Sequence, residues 1–275
     1  MPARQPSGPP PPPAVQKLRV RYAKRGRLRF TSHRDIARAF ERALRRAHVP
    51  MAFSAGFSPH PKISWVGAAP TGVASEAEYV ELSVTRRVDP DRLRDDLDAN
   101  LPDGLDVVDV VEAPVGTSLP DRVQASSWTV RLPGVDPLVA EQAVAAFLAA
   151  EQVPVERLTK DGRRTLDARA AVVSARVDAG DPSCAMLFLV VLHVTPAVRP
   201  DDVLTGLRSV ADLAMPVPPA ATRTAQGPLS EAGEVADPLA PDRAVRTAPG
   251  ATRQDGDPAP DDAGVEALPG AAAHI

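Results

Sequence analysis

At 275 residues, with 44% hydrophobic and only 4% aromatic residues, the chain can hold one large domain or two modest ones whose cores rely on Val, Leu and Ala. A single cysteine, Cys184, excludes an internal disulfide framework and any multi-cysteine zinc or iron–sulfur site. The net charge of −3 hides a segregation: of 32 basic and 35 acidic residues, twelve basic and two acidic ones fall in residues 17–47, about +10, and the remaining 20 and 33 leave the rest at −13.

Residues 1–14 form a Pro-rich arm with five consecutive prolines, Pro9 to Pro13, a composition that favours polyproline II and predicts a disordered end. The arm has no apolar stretch of the kind a secretory signal needs. The longest apolar run, Ala185 to Leu192, is far too short to span a bilayer. A cytoplasmic chain without a membrane partner is expected.

Leu18, Val20 and Tyr22 alternate with Arg19 and Arg21, the period of a half-buried strand. After a turn at 23–26, Arg27-Leu28-Arg29-Phe30 resumes the alternation and predicts a second strand. Ser32 followed by Asp35 has the spacing of a helix N-cap with an acid in the first turn. The helix is expected from about His33 to His48, ended by Pro50. Ile36, Phe40, Ala43, Leu44 and Ala47 make its apolar stripe. Arg34, Arg38, Arg42 and Arg45 recur at i, i+4, i+8 and i+11 as a second stripe on another face.

Met51 to Phe53 reads as a short strand. Ser54 to Lys62 is a loop restricted by Gly56, Pro59 and Pro61, and it concentrates Phe57, His60 and Lys62. Strands are expected at 63–66, 79–84 and 105–111, with a helix opened by Asp89-Pro90 that turns Leu93, Leu97 and Leu101 inward. After a connector at 115–125, a strand at 127–132 leads to a helix from Asp136 to about Gln152, with Val139, Ala143, Phe147 and Leu148 inward. Asp161-Gly162 signals a hairpin. Paired strands at 172–177 and 185–194 follow, with Cys184 beside the latter as a buried strand residue, then a helix capped near Arg199 to Asp202.

The predicted fold class is α+β: two ferredoxin-like α/β sandwich units in tandem, at 15–120 and 125–213. Apolar periodicity is lost beyond about Met215, so 214–275 is expected to be a disordered tail.

Four runs carry a resemblance: Leu28 to Asp35 (L-R-F-x-S-H-R-D), Glu41 to Pro50 (E-R-A-L-R-R-A-x-x-P), Ser54 to Ser64 (S-x-G-F-S-P-H-P-K-I-S) and Pro70 to Tyr79 (P-x-G-x-x-S-E-A-E-Y). Together they resemble a bacterial domain of unknown function, the radical SAM-associated or radical SAM-linked domain. That domain is either fused to B12-binding radical SAM proteins or encoded separately. The resemblance covers roughly residues 15–213. It implies a stand-alone accessory half with a separate B12-binding radical SAM protein as possible partner. One cysteine cannot supply the three thiolates of a radical SAM cluster, so no cofactor is expected in this chain.

Three functions are compatible with these residues. In the first, Arg19, Arg21, Arg27, Arg29, Arg34, Arg38, Arg42, Arg45 and Arg46 hold RNA phosphates, with Ser32, His33, Phe57, His60 and Lys62 completing the surface. In the second, the same basic face docks an acidic protein; a merely solvated arginine face is the plainer alternative to both. In the third, His33 and His60 act as acid and base, assisted by Ser32, Asp35, Lys62, Glu76 or Glu78, in a metal-independent RNA-processing or modifying enzyme. The sequence contains no nucleophile elbow, phosphate-binding glycine loop or metal-ligand spacing, so a non-catalytic role leads.

Overall fold

The computed structural model describes residues 10–159, 162–181 and 183–247. The five consecutive prolines lie partly, and residues 248–275 wholly, outside the described residues. The chain order is β1 (Gln16–Lys24), α1 (His33–Arg46), β2 (Ile63–Val66), β3 (Ala74–Val84), α2 (Pro90–Asp98), β4 (Leu105–Glu112), β5 (Ala125–Pro133), α3 (Pro137–Ala149), β6 (Pro154–Thr159), β7 (Gly162–Asp167), β8 (Val172–Asp181), β9 (Cys184–Leu192), α4 (Pro200–Ala211), β10 (Ala220–Gly227) and α5 (Ala240–Thr247).

The fold is α+β and built on one mixed sheet, ordered β4-β1-β3-β10-β5-β9-β8, with β2 paired to β3 off this path. In the first half β4, β1, β3 and β2 are neighbours in that order, every pair antiparallel. In the second half β10, β5, β9 and β8 repeat that order, again antiparallel throughout. The β6–β7 hairpin is an addition to the second half and pairs only with itself. The halves are not separate bodies on a connector. β10 pairs in parallel with β3 at Ala74 and Ser75 while β2 pairs with the same strand at Tyr79 to Leu82, so β3 is shared along its length.

Alternation along the strands sends Leu18, Val20, Tyr22, Val80 and Leu82 to one face, where Ile36, Phe40 and Leu44 of α1 and Leu93 and Leu97 of α2 cover them. In the second half Trp128, Val130, Leu187 and Leu189 meet Val144 and Phe147 of α3 and Val203 and Leu207 of α4. Val139, expected inward, is half exposed; Pro137, Ala140 and Val144 take the buried positions beside Ala143 and Phe147. Cys184 is buried at the start of β9.

Three expectations are corrected. Residues 26–30 form a 3-10 helix rather than a strand: Gly26 takes a positive φ of 54°, and Leu28 and Thr31 donate back to Arg25 and Leu28. Met51 to Phe53 makes only isolated bridges, Met51 to Val84 and Phe53 to Pro61. Most consequential, the residues taken for tail contain a strand and a helix. β10 sits between β3 and β5. The segment before α5 sets Leu239 into a small third core with Val66, Ala77, Tyr79, Val111, Leu119 and Val123, on the sheet face opposite α1 and α2. The expected limit of the second unit at residue 213 therefore cuts off its last strand.

Polar groups close the seam between the halves. Arg223 of β10 donates to the Glu78 carboxylate, to Ser75 Oγ at 3.3 Å and to Gln226 Oε1 at 3.2 Å. The Trp128 ring lies 5.6 Å from its guanidinium carbon. Gln226 donates to the Ala77 carbonyl, and Lys24 donates to the carbonyls of Ala69 and Pro70. Burial lowers the Lys24 pKa from its ordinary value.

Candidate functional site

The site is built on α1 and the turn before it. Ser32 accepts from the Asp35 backbone N–H at 3.2 Å, and its hydroxyl donates to Asp35 Oδ2 at 2.7 Å. The cap satisfies one orphan donor of the first turn, and Asp35 suits the positive end of the helix dipole. At the other end, His48 adopts a left-handed φ of 52°. His48 N–H then donates to Arg45 O and Val49 N–H to Leu44 O, a paired C-terminal cap. Helix direction and rotation are thus set by both ends and by the buried stripe Ile36, Ala39, Phe40, Ala43 and Leu44. Ser32→Ala is expected to lower stability by about 1 kcal/mol, read as a shifted denaturant midpoint with unchanged slope.

The opposite face carries the arginines. Arg34, Arg38, Arg42, Arg45 and Arg46 are exposed. At about 100° and 1.5 Å per residue they occupy an arc of roughly 120° over ~18 Å of helix. Arg38 reaches Asp35 Oδ1 at 3.6 Å, with both side chains more than half exposed, a contact of little energetic value. Among the described residues the other four have no carboxylate within ion-pair distance, and Glu41, just beyond the edge of the arc, pairs with none of them. Arg42, Arg45 and Arg46 line a shallow depression of about 360 Å³. Arg42 and Arg46 continue into a second, of about 290 Å³, closed by Ala99 to Pro102 at the end of α2. Arg27 is exposed as well. Arg29 is half-buried with its guanidinium carbon 4.6 Å from the Phe30 ring centre, and its Nε is shut from solvent without a hydrogen-bond partner.

The other predicted residues divide. Arg19 leaves the surface entirely: it is 0% exposed and bound to Glu81 at 2.9 Å and Asp242 at 2.7 Å. Arg21 donates to the Glu76 carbonyl at 3.0 Å. Arg25 spans the carboxylates of Glu76 and Asp106, and its hydrogen bond to Glu76 holds its pKa above the usual arginine value. Glu76 is thus committed to an ion pair. Glu78, 2% exposed, is committed to Arg223 and to the Ala69 N–H at 3.0 Å. Among the described residues, no hydrogen bond joins either glutamate to His33 or His60.

His33 is exposed in the first turn of α1, its ring edge-on to Trp65 at 5.0 Å. The His60 backbone N–H donates to Ser54 Oγ at 3.0 Å and its carbonyl accepts from the Ser54 N–H, closing the 54–60 loop and leaving the side chain exposed. Lys62 and Phe57 are exposed too. Among the described residues, no hydrogen bond or ring contact joins His33 to His60 or Lys62. His193 contacts Ser126 Oγ and the Val123 carbonyl, and burial pushes its pKa below the ordinary histidine value. Arg223, Gln226 and Asp242 were missed. They stand in a stretch without apolar alternation, and only their partners, more than a hundred residues earlier, reveal their role.

A family model described as "Uncharacterized protein conserved in bacteria (DUF2344)" matches residues 17–200, from β1 to the start of α4. No curated protein matches the chain.

Proposed function

The chain belongs to this family of uncharacterized bacterial proteins, and we propose that it is a non-catalytic module that binds RNA through the outer face of α1. The observation that carries this reading is the set of exposed arginines on one rigid helix, four of them without a carboxylate partner among the described residues although acids outnumber bases in the chain. An evenly solvated surface would let those acids neutralise them, as Glu76 and Asp106 do Arg25. Guanidinium groups left free on a fixed scaffold match phosphate oxygens in geometry and charge. The occupied Glu76 and Glu78 weigh against the enzymatic alternative. The same reading takes the repeated strand order as two ferredoxin-like units in tandem, and takes a separate B12-binding radical SAM protein as the enzyme this module would serve.

The test is the triple variant Arg38→Glu, Arg42→Glu, Arg45→Glu. Its affinity for a mixed-sequence RNA should fall at least a hundredfold, and the dependence of log K on log salt should flatten by about 2 for three lost phosphate contacts. Because all three side chains are exposed, the thermal transition should move by only a few degrees. Undiminished RNA binding by the variant overturns the reading. So does a wild-type chain that ignores RNA but, after nuclease treatment, binds a purified acidic partner through these arginines.

A further inference from the structure

The phenylalanines of this chain are distributed unevenly. Of six, Phe40 and Phe147 are fully buried and Phe188 is half-buried, whereas Phe30, Phe53 and Phe57 are 60%, 42% and 69% exposed. All three exposed rings fall between the first arginines of the basic segment and β2. A small domain with few aromatics forgoes core burial by leaving half of its phenylalanines in water, and clustered exposed apolar groups mark binding surfaces.

Local contacts and short stretches of chain place these rings around the start of α1 and the entry to β2. Phe30 ends the 3-10 helix two residues before the cap of α1, with the Arg29 guanidinium against its ring. His33, one helical turn on, stands edge-on to Trp65 of β2. Strand β2 begins next to Lys62, and the residue before that, Pro61, is the bridge partner of Phe53. The Ser54–His60 bonds close the following loop, which carries Phe57. Exposed Arg27 and Arg34 flank Phe30 in the chain, exposed Lys62 follows Phe57, and Asp35 and Glu41 are the only acids in residues 27–65.

Resting on the RNA reading above, we propose that the RNA this surface accepts is single-stranded, its bases stacking on Phe30, Phe53 and Phe57 while its phosphates follow the arginines of α1. In an A-form duplex the bases are stacked on one another and the major groove is too deep and narrow for side chains to reach. Exposed rings therefore gain from a ligand only when its bases are splayed. Stacking is tolerant of sequence, because every base offers a π-face. The surface thus selects strandedness rather than sequence.

The experiment compares a single-stranded RNA with the duplex of the same sequence on three chains: wild type, a Phe30→Ala, Phe53→Ala, Phe57→Ala variant, and the same triple change to Tyr. Wild type should favour the single strand. The alanine variant should lose about 10- to 100-fold in single-strand affinity while its duplex affinity stays within twofold, and the tyrosine variant should retain single-strand affinity. Unchanged single-strand affinity in the alanine variant, or equal losses on both ligands, overturns this proposal. The arginine variant above separates the two failures. If it loses RNA binding while the alanine variant does not, only the single-strand inference falls; if neither loses it, the α1 reading falls first.

Discussion

A chain ending at residue 213 is expected to lose its cooperative unfolding transition, although that is where apolar periodicity stops. The deletion removes β10, which bonds to β5 from Ala220 to Gly227 and to β3 at Ala74 and Ser75. Without it β5 becomes an open edge, and the halves lose the strand that, among the described residues, joins them. It also removes Arg223 from Glu78. A buried carboxylate stripped of its partner costs about 3–5 kcal/mol, against a total stability of ~5–15 kcal/mol for an ordinary domain. Leu239 and Asp242 leave the back face in the same cut. Circular dichroism and urea titration of the full chain and the 1–213 chain decide the matter. A sharp transition at the full chain's midpoint in the shorter chain would refute the role of β10 as the strand that unites the halves.

Why that strand was illegible is a matter of its chemistry. α1 announces itself locally: Ser32 and Asp35 cap it, an apolar stripe recurs at helical spacing, and Pro50 follows. α2 and α3 do the same with Asp-Pro starts, and their cap side chains are seen bonding to Arg92 N–H and Leu138 N–H. β10 reads Ala-Ala-Thr-Arg-Thr-Ala-Gln-Gly, and its inward positions are Arg223 and Gln226 rather than Val or Leu. Alternation is a signal of apolar burial, so a strand that buries a satisfied polar network gives none. The 3-10 helix failed differently: Arg-Leu-Arg-Phe has strand alternation, but Gly26 turns the chain and Phe30 ends outside the core.

The candidate surface was legible in part for the same reason. The α1 arginines lie on a helix whose rotation the sequence discloses, so their shared face could be read directly. Arg19, Arg21 and Arg25 lie on or beside a central strand, and their partners stand 51 to 223 residues away in the chain. A basic residue count treats both sets alike. Tertiary pairing divides them into arginines that hold the fold and arginines that stay exposed on α1.

Arg19→Ala is expected to destabilise the chain by about 3–5 kcal/mol, because it removes the fully buried cation that two buried carboxylates share and leaves each with a more exposed partner. Among the described residues Arg19 is the only basic group in contact with both Glu81 of β3 and Asp242 of α5, and it also donates to Thr117 O and Oγ1 at 3.0 Å each. Its removal leaves Asp242 with Arg122 at 2.9 Å and Glu81 with Lys17 at 3.8 Å. The contact joins three parts of the chain on the back of the sheet, so α5 should loosen first. Hydrogen exchange at 239–243 should rise before that of β1 and β3. Asp242→Ala should also destabilise, and the double variant should cost less than the two singles together, since removing both partners leaves fewer uncompensated charges. A single-variant loss below ~1 kcal/mol, or strict additivity in the cycle, would mean that Arg19 is a passive occupant of the sheet's back face rather than the link that holds α5 to it.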